Sequence, residues 1–354
     1  MFILRILHSI ADLFLSWTHL SQNVPVGWRS LDRKTGKLER EQQPLIKKLK
    51  LLFLFNPFTE WLDTTHAMRL WLHEKSIEKG REEGTKKSKK QIKGFVDSYG
   101  INMNEFEPSD LNAYDTFEDF FIRTHKSGSR PITDQENNSL ATVVADSRVV
   151  VYNSVDEAKK LWIKGNDFSI SNLVMDMKLG EHFSGAAVAS FRLSPQDYHR
   201  FHSPVTGKIK LFRSIPGDYY QVDPIALRSK VDILTRNRRE YVIIETEEFG
   251  DVLFVAIGAT DVGSVQIHDH WQEAGSEIKK GDEIGLFQFG GSSVVVAFQR
   301  GRIKFDHDLV DLSRRQIQTS VEVGMSLGSS VEDGFQDTQG TDDGEKTYAE
   351  AAKF

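Results

Sequence analysis

The sequence predicts an α+β protein: N-terminal helices packed on a β-rich domain, followed by a disordered acidic tail. Three observations carry the prediction. Up to about residue 130 the apolar residues recur mostly at helical spacing. From about residue 140 the chain becomes a series of short β-branched runs separated by Gly, Pro, Asp or Asn, the texture of consecutive strands. After Gly324 it turns small, polar and acidic, too poor in apolar residues to bury a core. The matching division is a membrane-proximal amphipathic and apolar segment at 1–60, a helical region at 61–135, a β-rich domain at 136–325 and a tail at 326–354.

The first element is MFILRILHSIADLFLSW. On a helix, Phe2, Ile3, Ile6, Leu7, Ile10, Leu13, Phe14 and Trp17 share one face, while Arg5, His8, Ser9 and Asp12 interrupt the run. Such a helix either lies on a membrane or packs on its own domain. It lacks the charged start, short apolar run and small-residue cleavage site of a signal peptide. SLDRKTGKLE reads as a hairpin turning at Lys34–Gly36. PLIKKLKLLFLFNPFTEWL sets lysines before Leu and Phe, a second membrane-surface candidate that a buried helix explains as well. Helices follow near 60–78, 88–99 and 117–123. The basic run Lys86–Lys93 reads as a solvated face or loop. No segment has the uninterrupted apolar length of a transmembrane helix.

The strand candidates are VVADSRVVVY, AAVASFRL, GKIKLF, YVIIET, DVLFVAIGA, GSVQIH, SVVVAF and GRIKF. Hydrophobic content of 39% and charged content of 27% are ordinary for a globular protein. A net charge of −6 argues against generic nucleic-acid binding. The absence of cysteine excludes disulfides, thiolate metal sites and a cysteine nucleophile.

Two places could carry chemistry. LSPQDYHRFHSPVTG (193–207) holds His199 and His202 between Pro195 and Pro204, in a stiff loop where imidazoles serve as general acids and bases. A metal site there needs further ligands; His268 and His270 of IHDHW are candidates, without a supporting spacing, and no metal is expected. GLFQFGGSSVVVAF (285–298) places Gly290, Gly291, Ser292 and Ser293 between two strand-like runs. That is either a tight turn or a peptide bond that must be reachable and bendable. Asp146, in VVADSRVVV, is a turn aspartate or the orienting acid of a Ser292–His202–Asp146 set, in which a carboxylate-held base activates a hydroxyl.

Several motifs in order resemble the pyruvoyl-dependent phosphatidylserine decarboxylases. They are TFEDFFIRTHKSGSRPI (116–132), VADSR (144–148), WIKGNDFSISNLV (162–174), LSPQDYHRFHSPVTG, GDYYQVDPIAL (217–227), NRREYVIIET (237–246), AIGATDVGSVQI (256–267) and KKGDEIGLFQFGGSSVVVAF (279–298). The resemblance covers roughly residues 70–325. Its Ala-Asp-Ser and Gly-Gly-Ser-Ser variants look more like the endomembrane fungal type than the mitochondrial one. VTGKIK and KKGDEIG resemble turns of biotinyl- or lipoyl-type folds, which implies a barrel-sandwich-like catalytic domain.

The resemblance implies that the chain makes its own cofactor. Ser292 attacks the carbonyl of Gly291, His202 removes the proton and Asp146 orients His202. Cleavage at Gly291–Ser292 leaves Ser292 as a covalent pyruvoyl group, the electron sink that replaces pyridoxal phosphate. His199 is assigned to decarboxylation. The implied substrate is a phospholipid at a membrane surface, with peripheral, endomembrane association and a homodimer of processed α/β protomers. The alternatives are decarboxylation of a free aromatic amino acid and an unprocessed, non-catalytic membrane-binding relative.

Overall fold

A computed structural model describes residues 29–40, 81–161, 168–218, 233–259, 265–288 and 292–331. The expected N-terminal amphipathic helix, the apolar segment after residue 40, the helix at 60–78, Gly290, Gly291 and residues 332–354 lie outside the described residues. The described fold is mixed α+β and rich in strand, as the composition of the runs predicts.

In chain order the first strands are β1 (Arg29–Asp32), β2 (Leu38–Arg40), β3 (Phe106–Glu107), β4 (Thr124–His125), β5 (Leu140–Thr142) and β6 (Ser147–Tyr152). Next come β7 (Ala187–Leu193), β8 (Arg200–His202), β9 (Gly207–Ile215), β10 (Arg239–Thr246), β11 (Gly250–Gly258) and β12 (Val265–Ile267). The last are β13 (Glu277–Ile278), β14 (Glu283–Phe287), β15 (Ser292–Phe298), β16 (Ile303–Phe305), β17 (Gln318–Val321) and β18 (Ser326–Ser330). The helices are α1 (Gln91–Tyr99), α2 (Phe117–Phe121), α3 (Val155–Leu161), α4 (Ile170–Val174), α5 (Met177–His182), α6 (Ile233–Arg236) and α7 (His307–Arg314).

Ten strands form one open sheet in the order β13-β9-β10-β11-β15-β7-β6-β17-β1-β2, antiparallel throughout except where β1 meets β17. Alternate residues of its central strands enter two cores. Val149, Ala189, Phe191, Val242, Phe254, Val294 and Val296 face one core. Val150, Val188, Ile243, Leu253, Val255 and Val295 face the other. Burial on both faces explains why these strands read as unbroken apolar runs rather than alternating ones. The first face is covered by two small sheets, β12-β14-β8 and β16-β18-β5, through Phe201, Ile267, Phe287, Phe305 and Leu327. The second is covered by Ala158 of α3, Ile170, Leu173 and Val174 of α4, and Ile233 and Leu234 of α6.

Four expectations change. The main sheet does not close into a barrel among the described residues; β13 and β2 stand at its edges. Helices inside the 136–325 region cover one of its faces. They were missed because they are short, and α4 and α5 are set by capping side chains, Ser169 and Asp176, rather than by a long periodic run. Residues 29–40 form the hairpin expected of SLDRKTGKLE, but as the edge of the main sheet rather than as part of the separate membrane-proximal segment assigned to 1–60. Arg33 there ion-pairs with Asp306 and Asp308. The tail assigned to 326–354 begins too early, because Ser326–Ser330 is the middle strand β18 of a small sheet and Leu327 is fully buried.

Helices α1 and α2 form a small apolar cluster of Ile92, Val96, Tyr114, Phe117, Phe120 and Phe121. A capping box between Thr116 and Asp119 starts α2. Among the described residues no helix is long and apolar enough to cross a membrane.

Lys280 ties the 134–140 loop to the turn before β14. Its Nζ, buried, donates to the carbonyls of Asp134 (2.7 Å), Asn137 (2.8 Å) and Leu140 (3.2 Å). Lys280→Met removes one donor from each of three carbonyls, of which Asp134 and Asn137 keep a backbone N–H, and a loss of about 1–3 kcal/mol in stability is expected. A thermal melt that matches the parent protein would show that the tie contributes nothing.

Candidate active site

The site is built where β7 leaves the main sheet. A turn follows Leu193, closed by Asp197 N–H on the Ser194 carbonyl (2.9 Å) and Ser194 N–H on the Asp197 carboxylate (2.7 Å). Arg148 holds the same carboxylate. The chain then enters β8 beside β14, with Phe287 N–H on the His199 carbonyl and His202 N–H on the Val144 carbonyl. Both histidines are therefore fixed through their backbones.

The His202 ring lies between two partners. Nδ1 is 2.8 Å from the Gly281 carbonyl and Nε2 is 3.1 Å from the Tyr198 hydroxyl. A carbonyl only accepts, so Nδ1 carries the proton and Nε2 accepts from Tyr198. Nε2 is thus the basic atom. Burial lowers the His202 pKa, opposed by the Gly281 carbonyl and the charges of Glu283 and Asp146. Gly281 needs its φ of +89° to turn the carbonyl inward, and a Cβ there would come within 2.8 Å of Ile132.

Asp146 does not touch the ring of His202. Its carboxylate receives Arg130 Nη2 (2.8 Å) and Nε (3.0 and 3.1 Å), the Val323 N–H (2.8 Å) and His125 Nε2 (3.1 Å). Burial alone would raise this carboxyl. The His125 and Arg130 hydrogen bonds outweigh burial and hold it well below the usual carboxylate range. The Nδ1 contact that the resemblance gives to Asp146 is made by the Gly281 carbonyl, while the Asp146 charge still bears on the ring of His202.

His199 is fully buried, with its ring stacked on Phe121 at 3.9 Å. Burial, and then the nearby Arg123 cation, pull its pKa down to about 3, so the ring is neutral in ordinary buffer. The Ser194 and Pro195 carbonyls favour the charged ring without completing a hydrogen bond of normal geometry. Arg123 is buried under the Phe106 and Phe120 rings and donates to the Gln196 and Asp197 carbonyls. Burial brings it down to about 10.

Ser292 opens β15, paired with Leu193 of β7 on one side and Gly258 of β11 on the other. It is wholly buried, and its Oγ has no hydrogen-bond partner among the described residues. The strand register puts this hydroxyl at the sheet end where β7 passes into the histidine turn. His268 bonds Glu283 (2.8 Å), which also receives Arg200 (2.7 Å). His270 lies against Trp271 with the rings tilted by 60°, and among the described residues no three His, Asp or Glu side chains converge as for a metal.

Asp146, His199, His202 and Ser292 are readable as site candidates in the sequence; Tyr198, Gly281, Arg123, His125 and Arg130 emerge only from the fold. The last three lie in TFEDFFIRTHKSGSRPI, which resembled a family segment but suggested no site role.

A model of the family described as phosphatidylserine decarboxylase matches residues 117–329. Phosphatidylserine decarboxylase proenzyme 2 of Oryza sativa subsp. japonica is 39% identical over 328 residues, covering 89% of this chain and 52% of that protein. Phosphatidylserine decarboxylase proenzyme 2 of Komagataella phaffii is 38% identical over 305 residues, covering 85% and 30%. The phosphatidylserine decarboxylase proenzyme of Fusobacterium nucleatum is 34% identical over 299 residues, covering 84% and 96%. The chain thus spans about half of the Oryza relative and less than a third of the Komagataella one.

The pKa directions fix the acid response. His199 falls from 6.5 to about 3 on folding, so between these values the unfolded chain holds a proton that the folded chain lacks. Stability from neutral His199 is complete above pH 6.5 and is lost as pH falls toward 3, by up to about 1.4 kcal/mol per pH unit. The depressed Asp146 carboxyl adds a further loss below its usual titration range. The melting temperature is expected to fall from pH 7 to pH 4.5, and less steeply in His199→Gln. Equal slopes would count against a buried neutral ring.

Proposed function

The chain belongs to the phosphatidylserine decarboxylase family, and from that membership we propose that it is a self-cleaving, pyruvoyl-dependent enzyme converting phosphatidylserine to phosphatidylethanolamine and carbon dioxide. The observation that carries the reading is the Ser292 hydroxyl. Among the described residues the buried Ser292 hydroxyl has no partner, as its neighbour Ser293 also lacks one; burying such a group costs about 1–3 kcal/mol and calls for a reason. Self-cleavage supplies one, since Ser292 directly follows Gly291 in the chain. Glycine at 290 and 291 removes the Cβ atoms that would obstruct attack on the Gly291 carbonyl.

In the proposed reaction Ser292 Oγ adds to the Gly291 carbonyl carbon, and its proton goes to His202 Nε2 as the Tyr198 hydroxyl gives up the lone pair it holds there. The Gly291–Ser292 C–N bond breaks, and the released nitrogen regains a proton. The resulting ester is opened by loss of the Ser292 α-proton, which expels the Gly291 carboxylate and leaves dehydroalanine at position 292. Water then replaces its amine, ammonia leaves, and a pyruvoyl group remains. Tyr198 and Gly281 define the basic nitrogen, and the neighbouring backbones of Leu193 and Gly258 hold residue 292 in place. When formed, the group supplies the electron sink that decarboxylation needs. His199, held neutral, accepts a proton readily only once substrate brings negative charge beside it. Peripheral association with an endomembrane and a homodimer of processed α/β protomers complete the proposal.

Denaturing intact-mass spectrometry tests it. The expected result is two chains, 1–291 and 292–354, the second lacking a free amine. Ser292→Ala should remain whole and release no carbon dioxide from phosphatidylserine. Cleavage or decarboxylation by that variant would remove Ser292 from the mechanism. Carbon dioxide from free tryptophan but not from the phospholipid would move the substrate to an aromatic amino acid.

A further inference from the structure

We infer that His125 is a positioning residue for self-cleavage, linking the fixed Asp146 carboxylate to His202 through Tyr198. The inference rests on the self-cleavage reading above. Its basis is a row of rings. Phe106 stacks on His125 at 4.7 Å and 18°, across the β3–β4 pair. His125 lies on Tyr198, with centroids 4.1 Å apart. Tyr198 lies beside His202 at 5.8 Å and 25°, its hydroxyl 3.1 Å from Nε2.

One end of this row is immobile. His125 Nε2 faces the ionised Asp146 carboxylate and donates to Oδ2 at 3.1 Å, its Nδ1 stands at a longer 3.4 Å from the Glu105 carbonyl, and Asp146 is itself gripped by Arg130 and the Val323 N–H. The carboxylate's acceptor positions are thus used by groups other than His202. The other end is the nitrogen that must receive the Ser292 proton. His125 packs against Tyr198 at a 41° tilt, and the Tyr198 hydroxyl holds the rotation of the His202 ring and with it the direction of Nε2. Arg130 cannot substitute, because no contact joins it to Tyr198 or His202. On this reading Asp146 is important for cleavage without forming a hydrogen bond to the base.

The experiment follows the first-order loss of full-length precursor by intact mass at neutral pH, with circular dichroism and a thermal melt of each variant. His125→Leu removes the N–H toward Asp146, and about 10- to 100-fold slower cleavage is expected. His125→Gln keeps a donor near the Nε2 position and should recover most of the rate. If the leucine variant does not fold, His125→Asn takes its place; its amide stops short of Asp146, and it should be slow. In a Tyr198→Phe background, His125→Leu should add little, since the link runs through the lost hydroxyl. A parent chain that divides while His125→Leu divides equally fast overturns the inference alone. Glutamine as slow as leucine overturns the Asp146 link. A parent chain that never divides overturns the self-cleavage reading and this inference together.

Discussion

Exclusion of water from both faces of the main sheet governs the chemistry available at its end. β15 runs between β7 and β11, and all of its residues are buried. A charge placed there is costly unless it is surrounded by acceptors or an opposite charge. Arg123 meets this condition with backbone carbonyls and two aromatic faces, and Asp146 meets it with Arg130, His125 and a peptide N–H. His199 meets it by giving up its charge. The same dryness strengthens every remaining electrostatic contact, so the orientation of a single carbonyl at Gly281 can define which nitrogen of His202 is basic.

The strands were legible in the sequence because burial on both faces demands β-branched and apolar residues at nearly every position, and short turn residues mark the ends. Every predicted run, from VVADSRVVVY to GRIKF, contributes to a strand of the structure. The helices that cover the second face were hidden. α4 has five residues and α5 six, too short to show a helical period against neighbouring strands. β18 was hidden for a different reason. Its SLGSS sequence carries little apolar signal, and what places it is close backbone approach: a Cβ on Gly328 would come within 2.5 Å of the Lys304 carbonyl. The attachment of the 29–40 hairpin to β17 joins residues far apart in sequence, which no local pattern announces.

The candidate site was legible where side chains cluster in one motif. His199 and His202 stand in a single proline-bracketed stretch, and Ser292 follows two glycines between strands. Their partners were not legible. Arg130 and His125 reach Asp146 from 16 and 21 residues away, and Gly281 reaches His202 across 79. The last partner is a backbone carbonyl, for which glycine identity is only an indirect sign. A carboxylate, a histidine and a serine in a sequence suggest a three-member arrangement. In the folded chain a tyrosine and a peptide group take two of the contacts beside the histidine.

The position of β15 has a consequence for molecularity. In the undivided chain, bringing β15 between β7 and β11 is an intramolecular closure. Under the proposed division at Gly291–Ser292, the same strand, with β16, α7, β17 and β18, would belong to a separate polypeptide, joined to the rest by the sheet hydrogen bonds and the two cores. Folding before that division would be independent of concentration, whereas reassembly of the denatured, divided protein would be a second-order encounter between two chains that each lack part of the sheet. Unfolding and refolding of the mature form would trace different paths, and its persistence would be set by the rate at which the smaller chain escapes.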